Sequence, residues 1–594
     1  MKRALVRYVL ATFLYMFFAC SPDIDPLPDN EGNEVVTPAP FPDPDPEPDP
    51  DPDPSPDDTP SYDNLAAYLP LRDYVDRSVH ADFKLGAAIP VDDFFKKASR
   101  YVLAVENLDE ITPENAFKNA SVVRSDGSMD FSRVKRTLDE AEAAGLTVYG
   151  HALAWHAQQT SYLKHIIKGK RVELPPSEKG EMVLLEADFN DGYNPFIGWG
   201  NNSTRMVSGG TLIITNPSAV NNWEAQFAYD MSDAFEVDNT YKLKFKIKGS
   251  GSGKLASGFQ IVDGYNSAGY FPEVQFDTQW KEVELECICS AAGATRLVFS
   301  FGEFVGDIYI DDFSFIDANA SYRYDPLTEE EKREVLIEEM DRWIKGMMEV
   351  TASRVSAWDV VNEPISGLDR NGDGFYELES GAWGSSENFY WQDYLGAEEY
   401  VRIVVEMARK YYTEYGGTSP LRLFINDYNL ESDWDDNKKL KSLIHWIEIW
   451  ESDGITKIDG IGTQMHISYH ADPNIQKSKE NHIVKMLHMM AETGKLVKIS
   501  ELDMGYVDVA GNTLNATSLN DSQHRQMADY YEFIVRKYFE IIPPAQQYGI
   551  THWAPVDPDS SGWRGGEPLG LWDKNFKRKY AYAGFANGLM GHVN

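Results

Sequence analysis

Short runs of β-branched and aromatic residues alternate with amphipathic helical stretches beyond residue 61. Such alternation is typical of βα units, from which parallel sheets are built. We expect eight strands, at residues 84–89, 101–106, 147–151, 355–362, 421–427, 458–466, 497–503 and 549–556, with helices between them such as 131–144 and 522–538. Eight βα units predict a TIM (β/α)8 barrel, an α/β fold whose active site lies at the carboxyl ends of its strands.

One connection is too long for this pattern, because the third run ends at residue 151 and the helix expected after it covers 328–348. Strand-like stretches with Gly, Asn and Ser turns fill the interval, at 241–248, 258–263, 281–287 and 295–301. This pattern predicts an antiparallel β-sandwich. We therefore expect an inserted domain over 182–317 and a barrel built from 61–181 and 318–594, in which any catalytic residues would lie.

The first 60 residues do not have the pattern of a folded domain. Residues 1–20 have a basic start and an apolar stretch that ends at Cys20, as in a secretion signal, and are too short for a transmembrane helix. Residues 21–60 are rich in Pro and Asp and predict a disordered, extended and semi-rigid linker.

The end of the signal, Phe17-Phe18-Ala19-Cys20, resembles a bacterial lipoprotein cleavage box, with Phe where Leu is usual. Residues 21–25 are similar to the acidic export tag of Bacteroidetes surface lipoproteins. The resemblance implies that Cys20 is lipidated and that the protein is an outer membrane or cell surface lipoprotein facing outward. The other two cysteines, Cys287 and Cys289, lie two apart in a strand-like run and predict buried free thiols rather than a disulfide.

Composition limits the partners of the protein. Of its 594 residues 42% are hydrophobic and 13% aromatic, which is enough for a large core and a smaller second one. The net charge of −39 argues against a nucleic acid, whose phosphates need Lys and Arg to neutralise them. We expect a neutral partner and a monomeric protein.

Two apolar runs end in a glutamate, Trp358-Asp359-Val360-Val361-Asn362-Glu363 and Val497-Lys498-Ile499-Ser500-Glu501. Cleavage of a glycosidic bond needs one carboxyl group to protonate the leaving oxygen and a second to attack or stabilise the anomeric carbon. A single acidic residue at a strand end is more often a solvated loop residue, so the hypothesis depends on what stands at the neighbouring strand ends.

Polar or aromatic side chains end seven consecutive runs. They are Glu106 and Asn107 with residues 112–118 after the second run, 150–158 at the third, Asn362 and Glu363 at the fourth, 426–429 at the fifth, 464–466 at the sixth, 501–503 at the seventh, and Trp553 at the eighth with Trp563 in the next loop.

Six motifs in this set, in this order, resemble glycoside hydrolase family 10, the retaining endo-β-1,4-xylanases, over about 61–165 and 325–590. The motifs are Thr-x-Glu-Asn-x-x-Lys from 112, Gly-His-x-Leu-x-Trp-His from 150, Trp-Asp-Val-Val-Asn-Glu from 358, Asn-Asp-Tyr-Asn from 426, Gly-Ile-Gly-x-Gln-x-His from 460 and Ser-Glu-Leu-Asp from 500. Two places depart from the family: Gln159 to Tyr162 replace its usual Pro and Trp, and Lys579-Tyr580-Ala581-Tyr582 replaces its Lys-Pro-Ala-Tyr.

The resemblance implies a role for each catalytic residue. Glu363 would be the general acid and later the base, and Asn362 would hold the sugar 2-hydroxyl. Glu501 would be the nucleophile, kept ionised by His466, which Asp503 would orient. The residues expected to bind substrate are Glu114, Asn115, Lys118, His151, Trp155, Gln158, Asn426, Tyr428, Gln464, Trp553 and Trp563.

Some roles stay open at this point. For each tryptophan alone, core packing is about as plausible as binding, and His156 fits a structural role as well as a ligand contact. A zinc site built from His151, His156 and His466 is the metal alternative, but carboxylate catalysis leaves no task for the metal, so we expect no metal cofactor.

The inserted domain, with Glu186 to Asn190 at its start and Ile308 to Phe315 at its close, resembles carbohydrate-binding modules of families 4 and 22. Its candidate stacking residues are Trp199, Trp223, Tyr265 and Tyr270, although such aromatics often belong to the core of a sandwich. A structural calcium ion near Glu186 and Asp312 is a further expectation from this resemblance.

The sequence thus favours a retaining endo-1,4-β-xylanase that binds xylan or xylo-oligosaccharides. A β-1,4-glucanase of similar fold is the alternative within enzymes, since glucose differs from xylose only by a hydroxymethyl group. A non-catalytic surface glycan-binding protein is the alternative of another class.

Overall fold

The computed structural model describes residue 62 and residues 64–190, 192, 194–231, 233–385, 388–560 and 562–591. The predicted signal segment, Cys20 and the linker over 21–60 lie outside the described residues. Among the residues described, no helix is both long and apolar enough to cross a membrane.

Eight parallel strands close into the predicted barrel. In chain order we number them strand 1 (Lys84–Ala88), strand 2 (Glu110–Thr112), strand 3 (Thr147–Val148 and Gly150–Ala154), strand 4 (Ala357–Asn362), strand 5 (Arg422–Asp427), strand 6 (Gly460–Thr463), strand 7 (Leu496–Val507) and strand 8 (Gln547–His552). Strand 8 pairs with strand 1, and the two parts of strand 3 pair with strands 2 and 4, so the circle is complete. A further strand, His466–His470, extends strand 6 and pairs with strand 7.

The second predicted strand is wrong. Residues 101–106 belong to the helix Ser99–Asn107, which buries Leu103, Ala104 and Asn107 at helical spacing. Its β-branched and aromatic content suggested a strand, whereas the real strand 2 has only three residues and leaves almost no periodic signal. Glu106 and Asn107 therefore lie in a helix and not at a strand end.

Helices surround the barrel and also fill its loops. They are Val91–Phe95, Ser99–Asn107, Asn119–Val122, Ser132–Ala143, Tyr162–Ile166, Glu329–Thr351, Trp391–Leu395, Glu399–Glu414, Lys438–Glu451, Pro473–Glu492, Asp521–Ile541 and Tyr580–Met590. Two long ones begin with a capping box, in which Thr328 and Asn520 accept from the backbone of the first turn. Large buried side chains such as Trp343 and Trp358 pack inside this shell.

The segment between strand 3 and the helix Glu329–Thr351 forms the predicted sandwich of two antiparallel sheets. Sheet I contains Ile197–Trp199, Gln226–Asp230, Gly253–Ile261, Asn266–Tyr270, Val274–Phe276 and Arg296–Ser300; sheet II contains Gly180–Ala187, Thr204–Val207, Leu212–Asn216, Thr240–Gly249, Lys281–Ile288 and Gly306–Ala320. Phenylalanines from both sheets fill the core between them. Cys287 and Cys289 are buried free thiols, as predicted.

A two-stranded antiparallel sheet, Lys170–Glu173 with Tyr322–Asp325, joins the sandwich to the barrel. Lys170 pairs with Glu331 on the long helix at 2.6 Å, and Arg171 approaches Glu236 of the sandwich to 3.7 Å. The chain therefore leaves and re-enters the barrel at neighbouring points, so the insertion does not force the barrel open.

Gly584 tests the packing of the last helix. Its Cβ would lie 1.9 Å from the carbonyl oxygen of Ala528 in the helix Asp521–Ile541. Because the two helices would have to separate, we expect Gly584→Ala to lower the free energy of unfolding by about 1–3 kcal/mol, measured by urea denaturation. Gly591→Ala is the matched control, since nothing lies within 3.8 Å of its Cβ. An equal loss in both variants would contradict this packing.

Candidate active site

Glu363 stands directly after strand 4, in a backbone conformation that non-glycine residues rarely adopt (φ 51°). Its amide donates to the carbonyl oxygen of Asn426 on strand 5 at 2.7 Å. Two residues further, the Ile365 amide donates to the carboxylate of Asp427 at 3.0 Å, and Lys439 pairs with that carboxylate at 2.8 Å. Strand 5 thus fixes the backbone on both sides of Glu363 and directs its side chain.

The Glu363 carboxyl group is buried and receives hydrogen bonds from three side chains. Trp155 Nε1 donates to Oε2 at 3.1 Å, and Gln464 Nε2 and Asn362 Nδ2 donate to Oε1 at 2.8 and 3.2 Å. Burial nevertheless raises the pKa of Glu363 to about 7, because it outweighs the Gln464 hydrogen bond and is reinforced by the charge of Glu501. This group can therefore carry a proton near neutral pH.

Glu501, on strand 7, is in a different electrostatic environment. His466 Nε2 lies 3.3 Å from Oε2, and Asn426 Nδ2 donates to Oε1 at 2.8 Å. Burial favours the neutral form, but the His466 hydrogen bond and the positive charge around the group hold the pKa of Glu501 below its ordinary value. Two buried carboxyl groups with opposite pKa shifts can act as acid and anion at the same pH.

A chain of alternating charges extends behind Glu501. Asp503 Oδ2 lies 2.9 Å from His466 Nδ1, and Arg564 Nη1 donates to Asp503 Oδ1 at 2.7 Å. Burial would lower the pKa of His466, but the two neighbouring carboxylates raise it to about 10. Burial likewise opposes the charge of Asp503, yet His466 and Arg564 lower its pKa to about 2. His466 is therefore an imidazolium at neutral pH, where Glu501 is ionised.

Asparagine side chains link the two carboxyl groups. Asn426 Nδ2 donates both to Glu501 and to Asn362 Oδ1, each at 2.8 Å, and Asn362 donates to Glu363. Ser500 Oγ donates to Asn426 Oδ1 at 2.5 Å and fixes the orientation of its amide. Asn426, a predicted substrate-binding residue, lies between the two glutamates.

The residues predicted to bind the sugar lie at the end of strand 3 and in the segments that follow strands 2, 3 and 8. Lys118 Nζ donates to Asn115 Oδ1 at 2.9 Å and lies 4.8 Å from the centre of the Trp155 ring. His151 Nδ1 is 2.8 Å from Asp359 Oδ2, and its ring contacts that of Trp553 with centroids 5.4 Å apart. The other predicted residues of this side are half-buried; they are Glu114, Gln158, Trp553 and Trp563.

Trp563 and Tyr428 have partners that the motifs did not reveal. Trp563 Nε1 donates to Asp503 at 2.8 Å, and its ring lies 4.9 Å from that of His466. Lys439 Nζ stands 3.2 Å from the centre of the Tyr428 ring while it pairs with Asp427. Both rings are thus oriented by charged groups of the site.

Sequence reasoning missed Asp359, Asp427, Lys439 and Arg564. Asp359 and Asp427 lie inside motifs that were already identified. Asp359 follows Trp358 and Asp427 follows Asn426, so these positions could have indicated that both belong to the site. Lys439 and Arg564 come from a helix and a loop with no local signal, and only the fold brings them to the site.

Each of the three histidines of the metal alternative contacts another side chain. His156 stacks on Tyr390 with ring centroids 5.4 Å apart, and burial lowers its pKa to about 3. His151 and His466 are engaged with carboxylates, and in the described part of the chain no group of three His, Cys, Asp or Glu residues could hold a metal ion. In the sandwich, Asp312 pairs with Lys246 at 2.5 Å, and the calcium ion near Glu186 stays a prediction.

The four aromatic candidates of the sandwich lie outside its core. In sheet I the register aligns Trp199 with Gln226 and Tyr270 with Gly258, residues that alternate with the buried Phe227 and Phe259. Trp199 and Tyr270 therefore point to the outer face of the sheet, near its two edges. Trp223 and Tyr265, both largely exposed, lie in turns.

Ala228, Ala256, Gly258 and Val298 occupy the middle of this outer face. Arg296 lies 4.9 Å from the Trp199 ring and forms a bidentate pair with Asp230 at 2.6 and 2.8 Å. A floor of small residues flanked by aromatic rings and fixed polar groups has the chemistry of a saccharide-binding surface.

Comparison with known proteins agrees with this geometry. The family model described as glycosyl hydrolase family 10 matches residues 75–178 and 324–588, and a model described as a carbohydrate binding domain matches 182–302. Among solved structures, xylanase B from Clostridium stercorarium F9 has a TM-score of 0.50 at 17% identity, covering 88% of this chain and all of that one. Native xylanase10C from Cellvibrio japonicus has a TM-score of 0.51 at 17% identity, covering 89% and 73%.

Curated relatives match only part of the chain. An endo-1,4-beta-xylanase A of Cellvibrio japonicus (strain Ueda107) is 29% identical over 293 residues, which are 46% of this chain and 41% of the relative. An endo-1,4-beta-xylanase A of Halalkalibacterium halodurans is 26% identical over 294 residues, 47% of this chain and 63% of the relative. The chain thus matches less than two thirds of the length of these relatives. Since the barrel as a whole matches the family model, this chain belongs to glycosyl hydrolase family 10, and a carbohydrate binding domain is inserted in its barrel.

Proposed function

We propose that the protein is a retaining endo-1,4-β-xylanase that hydrolyses internal bonds of xylan. The observation that carries the proposal is the pair of buried glutamates on strands 4 and 7, whose pKa values are shifted in opposite directions. Family membership and the printed names of the relatives support xylan as the substrate. A β-1,4-glucanase is the second candidate.

The chemistry is a double displacement. Glu501 attacks the anomeric carbon, and Glu363 gives its proton to the leaving oxygen, so a glycosyl ester forms as the glycosidic bond breaks. Glu363, now a carboxylate, then takes a proton from water, which attacks the same carbon and releases Glu501. The shifted pKa values place both groups in the protonation states needed for the first step.

Asn362 is suited to the 2-hydroxyl contact. Its Oδ1 accepts from Asn426 and its Nδ2 donates to Glu363, which leaves one amide hydrogen for the sugar. The pyranose rings can stack on the faces of three indoles, those of Trp155, Trp553 and Trp563. On the non-reducing side of the cut, their hydroxyl groups can form hydrogen bonds with Lys118, His151 and Gln158.

Export and anchoring are part of the same proposal. The resemblance of residues 17–25 to lipoprotein signals supports lipidation of Cys20, and the acidic linker would hold the enzyme away from the membrane. The protein would then act as a monomer at the outer surface, where polymeric substrate is available.

Products of hydrolysis test the proposal most directly. The parent should release short xylo-oligosaccharides from unsubstituted xylan and little from carboxymethyl cellulose. Glu501→Ala should lower kcat on the order of 10⁴-fold, because the nucleophile is lost. Glu406→Ala, which removes an exposed carboxylate of a surface helix, is the matched control. Predominant release from carboxymethyl cellulose would indicate a glucanase. If neither substrate were hydrolysed, the result would indicate a non-catalytic binding protein.

The pH dependence tests the assignment of acid and nucleophile. We expect kcat/KM to fall above about pH 7 as Glu363 loses its proton, and to fall on the acid side only below 4.5, the ordinary glutamate value, as Glu501 gains one. Gln464→Met removes a hydrogen bond that lowers the pKa of Glu363, so the alkaline limb should move to higher pH while the acid limb stays. An alkaline limb that stays or moves down would contradict the assignment.

The sandwich can be tested separately from catalysis. Trp199→Ala combined with Tyr270→Ala should weaken binding to insoluble xylan about 30-fold, since each of the two rings contributes on the order of 1 kcal/mol. Hydrolysis of a short soluble xylo-oligosaccharide should not change. Val183→Ala, on the exposed face of sheet II, is the control. Unchanged binding in the double variant would place any glycan site elsewhere.

A further inference from the structure

We propose that Lys498, a buried lysine inside the barrel, is a positioning residue for the hydrolysis. Its charge acts through Tyr149 on Asp359, the carboxylate that holds His151 on the sugar-binding side of the centre. This inference rests on the proposed function. It concerns how the sugar-binding side of the site is held in place and not the transfer of protons by the two glutamates.

Lys498 lies on strand 7, three positions before Glu501, and only 1% of its side chain is exposed. Burial lowers the pKa of Lys498 to about 8, against the charges of Glu110, Asp359 and Glu501, which favour its charged form. The side chain is therefore still mainly an ammonium group at neutral pH. The titratable side chains around it stand on five strands; they are Glu110, Tyr149, Asp359, Tyr548 and, on its own strand, Glu501.

A structural ion pair with Glu110 does not fully account for this lysine. Lys498 Nζ is 3.8 Å from Glu110 Oε1, and among the described residues neither atom has a hydrogen-bond partner. The other oxygen of Glu110 accepts from Tyr548 at 3.0 Å and from Thr147 at 3.4 Å, and burial raises the pKa of Glu110. Because Glu110 is bound from another side and burial favours its neutral form, it is a weak counter-ion for a buried ammonium group.

The ring of Tyr149 connects Lys498 to the sugar-binding side. Lys498 Nζ lies 2.8 Å from the centre of this ring, and the Tyr149 hydroxyl donates to Asp359 Oδ1 at 2.6 Å. Burial raises the pKa of Tyr149 well above its ordinary value, and the charge of Asp359 adds to this effect, so the phenol keeps its proton and remains a donor. A cation against the ring draws electron density from it and strengthens the hydrogen bond that its hydroxyl donates.

Asp359 is the buried carboxylate that needs this support. Among the described residues no lysine or arginine forms an ion pair with it, and its Oδ2 lies 2.8 Å from His151 Nδ1. A buried carboxylate is stable only with opposite charge nearby, and the charge of Lys498 acts on it. Since Asp359 engages Nδ1 of His151, Nε2 is the nitrogen left for a sugar hydroxyl, and the ring is held 5.4 Å from that of Trp553.

Lys498→Met tests the role on the whole chain, because methionine fills similar space without a charge. We expect kcat/KM for a short soluble xylo-oligosaccharide to fall about tenfold to a hundredfold, the cost of a slightly misplaced binding group. The acid limb of its pH profile should move to higher pH, since the charge that favours ionised Glu501 is lost, while the alkaline limb set by Glu363 should move less. Lys495→Met, which removes an ion pair with Glu451 just before the same strand begins, is the matched control and should change neither quantity.

Two backgrounds identify the partner through which Lys498 acts. In the Asp359→Asn background, Lys498→Met should lower kcat/KM by less than about twofold, because no carboxylate is left there to balance. In the Glu110→Gln background the full loss should remain. Tyr149→Phe keeps the ring and removes the hydroxyl that donates to Asp359, so it should also lower kcat/KM. This variant tests the same connection if Lys498→Met does not fold, which urea denaturation would show.

The outcomes separate this inference from the proposed function. An unchanged kcat/KM and acid limb in Lys498→Met, or an unchanged kcat/KM in Tyr149→Phe, would overturn the positioning role while xylanase activity persists. An equal loss with and without Asp359→Asn would overturn it too. A loss that disappears in the Glu110→Gln background would make Lys498 a structural partner of Glu110 alone. No hydrolysis of xylo-oligosaccharides by the parent would instead overturn the proposed function.

Discussion

A buried anion at the mouth of the barrel is the constraint on which the rest of the site depends. Glu501 is almost fully removed from solvent, and an unpaired carboxylate there would take up a proton and lose its nucleophilic character. His466 supplies the opposing charge, Asp503 holds His466 in its charged form, and Arg564 balances Asp503. Each of these partners stabilises the preceding charge in a region that is almost fully buried.

Glu363 stays protonated because it is buried like Glu501 but has no positively charged side chain, among the described residues, in hydrogen-bond contact. Glu363 is as buried as Glu501, but the amides and the indole N–H that contact it carry no formal charge. Its proton is therefore retained to about pH 7, and the charge of Glu501 adds to this effect. The two glutamates thus differ in protonation because Glu501 is paired with the charged His466, whereas the groups that contact Glu363 are neutral.

The insertion shows how a binding domain can be added without disturbing this arrangement. It enters and leaves through one antiparallel strand pair, held to the long helix by the ion pair of Lys170 with Glu331. The second part of strand 3 continues to pair with strand 4, so the hydrogen bonds that position Glu363 are independent of the sandwich. The barrel carries the two glutamates, and sheet I has its own outward surface with Trp199 and Tyr270 near opposite edges.

The sequence by itself determined the barrel, the inserted sandwich, the family and the two glutamates, because strand periodicity and compact motifs are local properties of the chain. It failed at strand 2, where three residues are too few for a periodic signal and the preceding helix has strand-like composition. Only the tertiary structure decided which glutamate stays protonated, and it brought Arg564 and Lys439 to the site. These depend on burial and on distances between residues far apart in sequence, and closure of the barrel sets both.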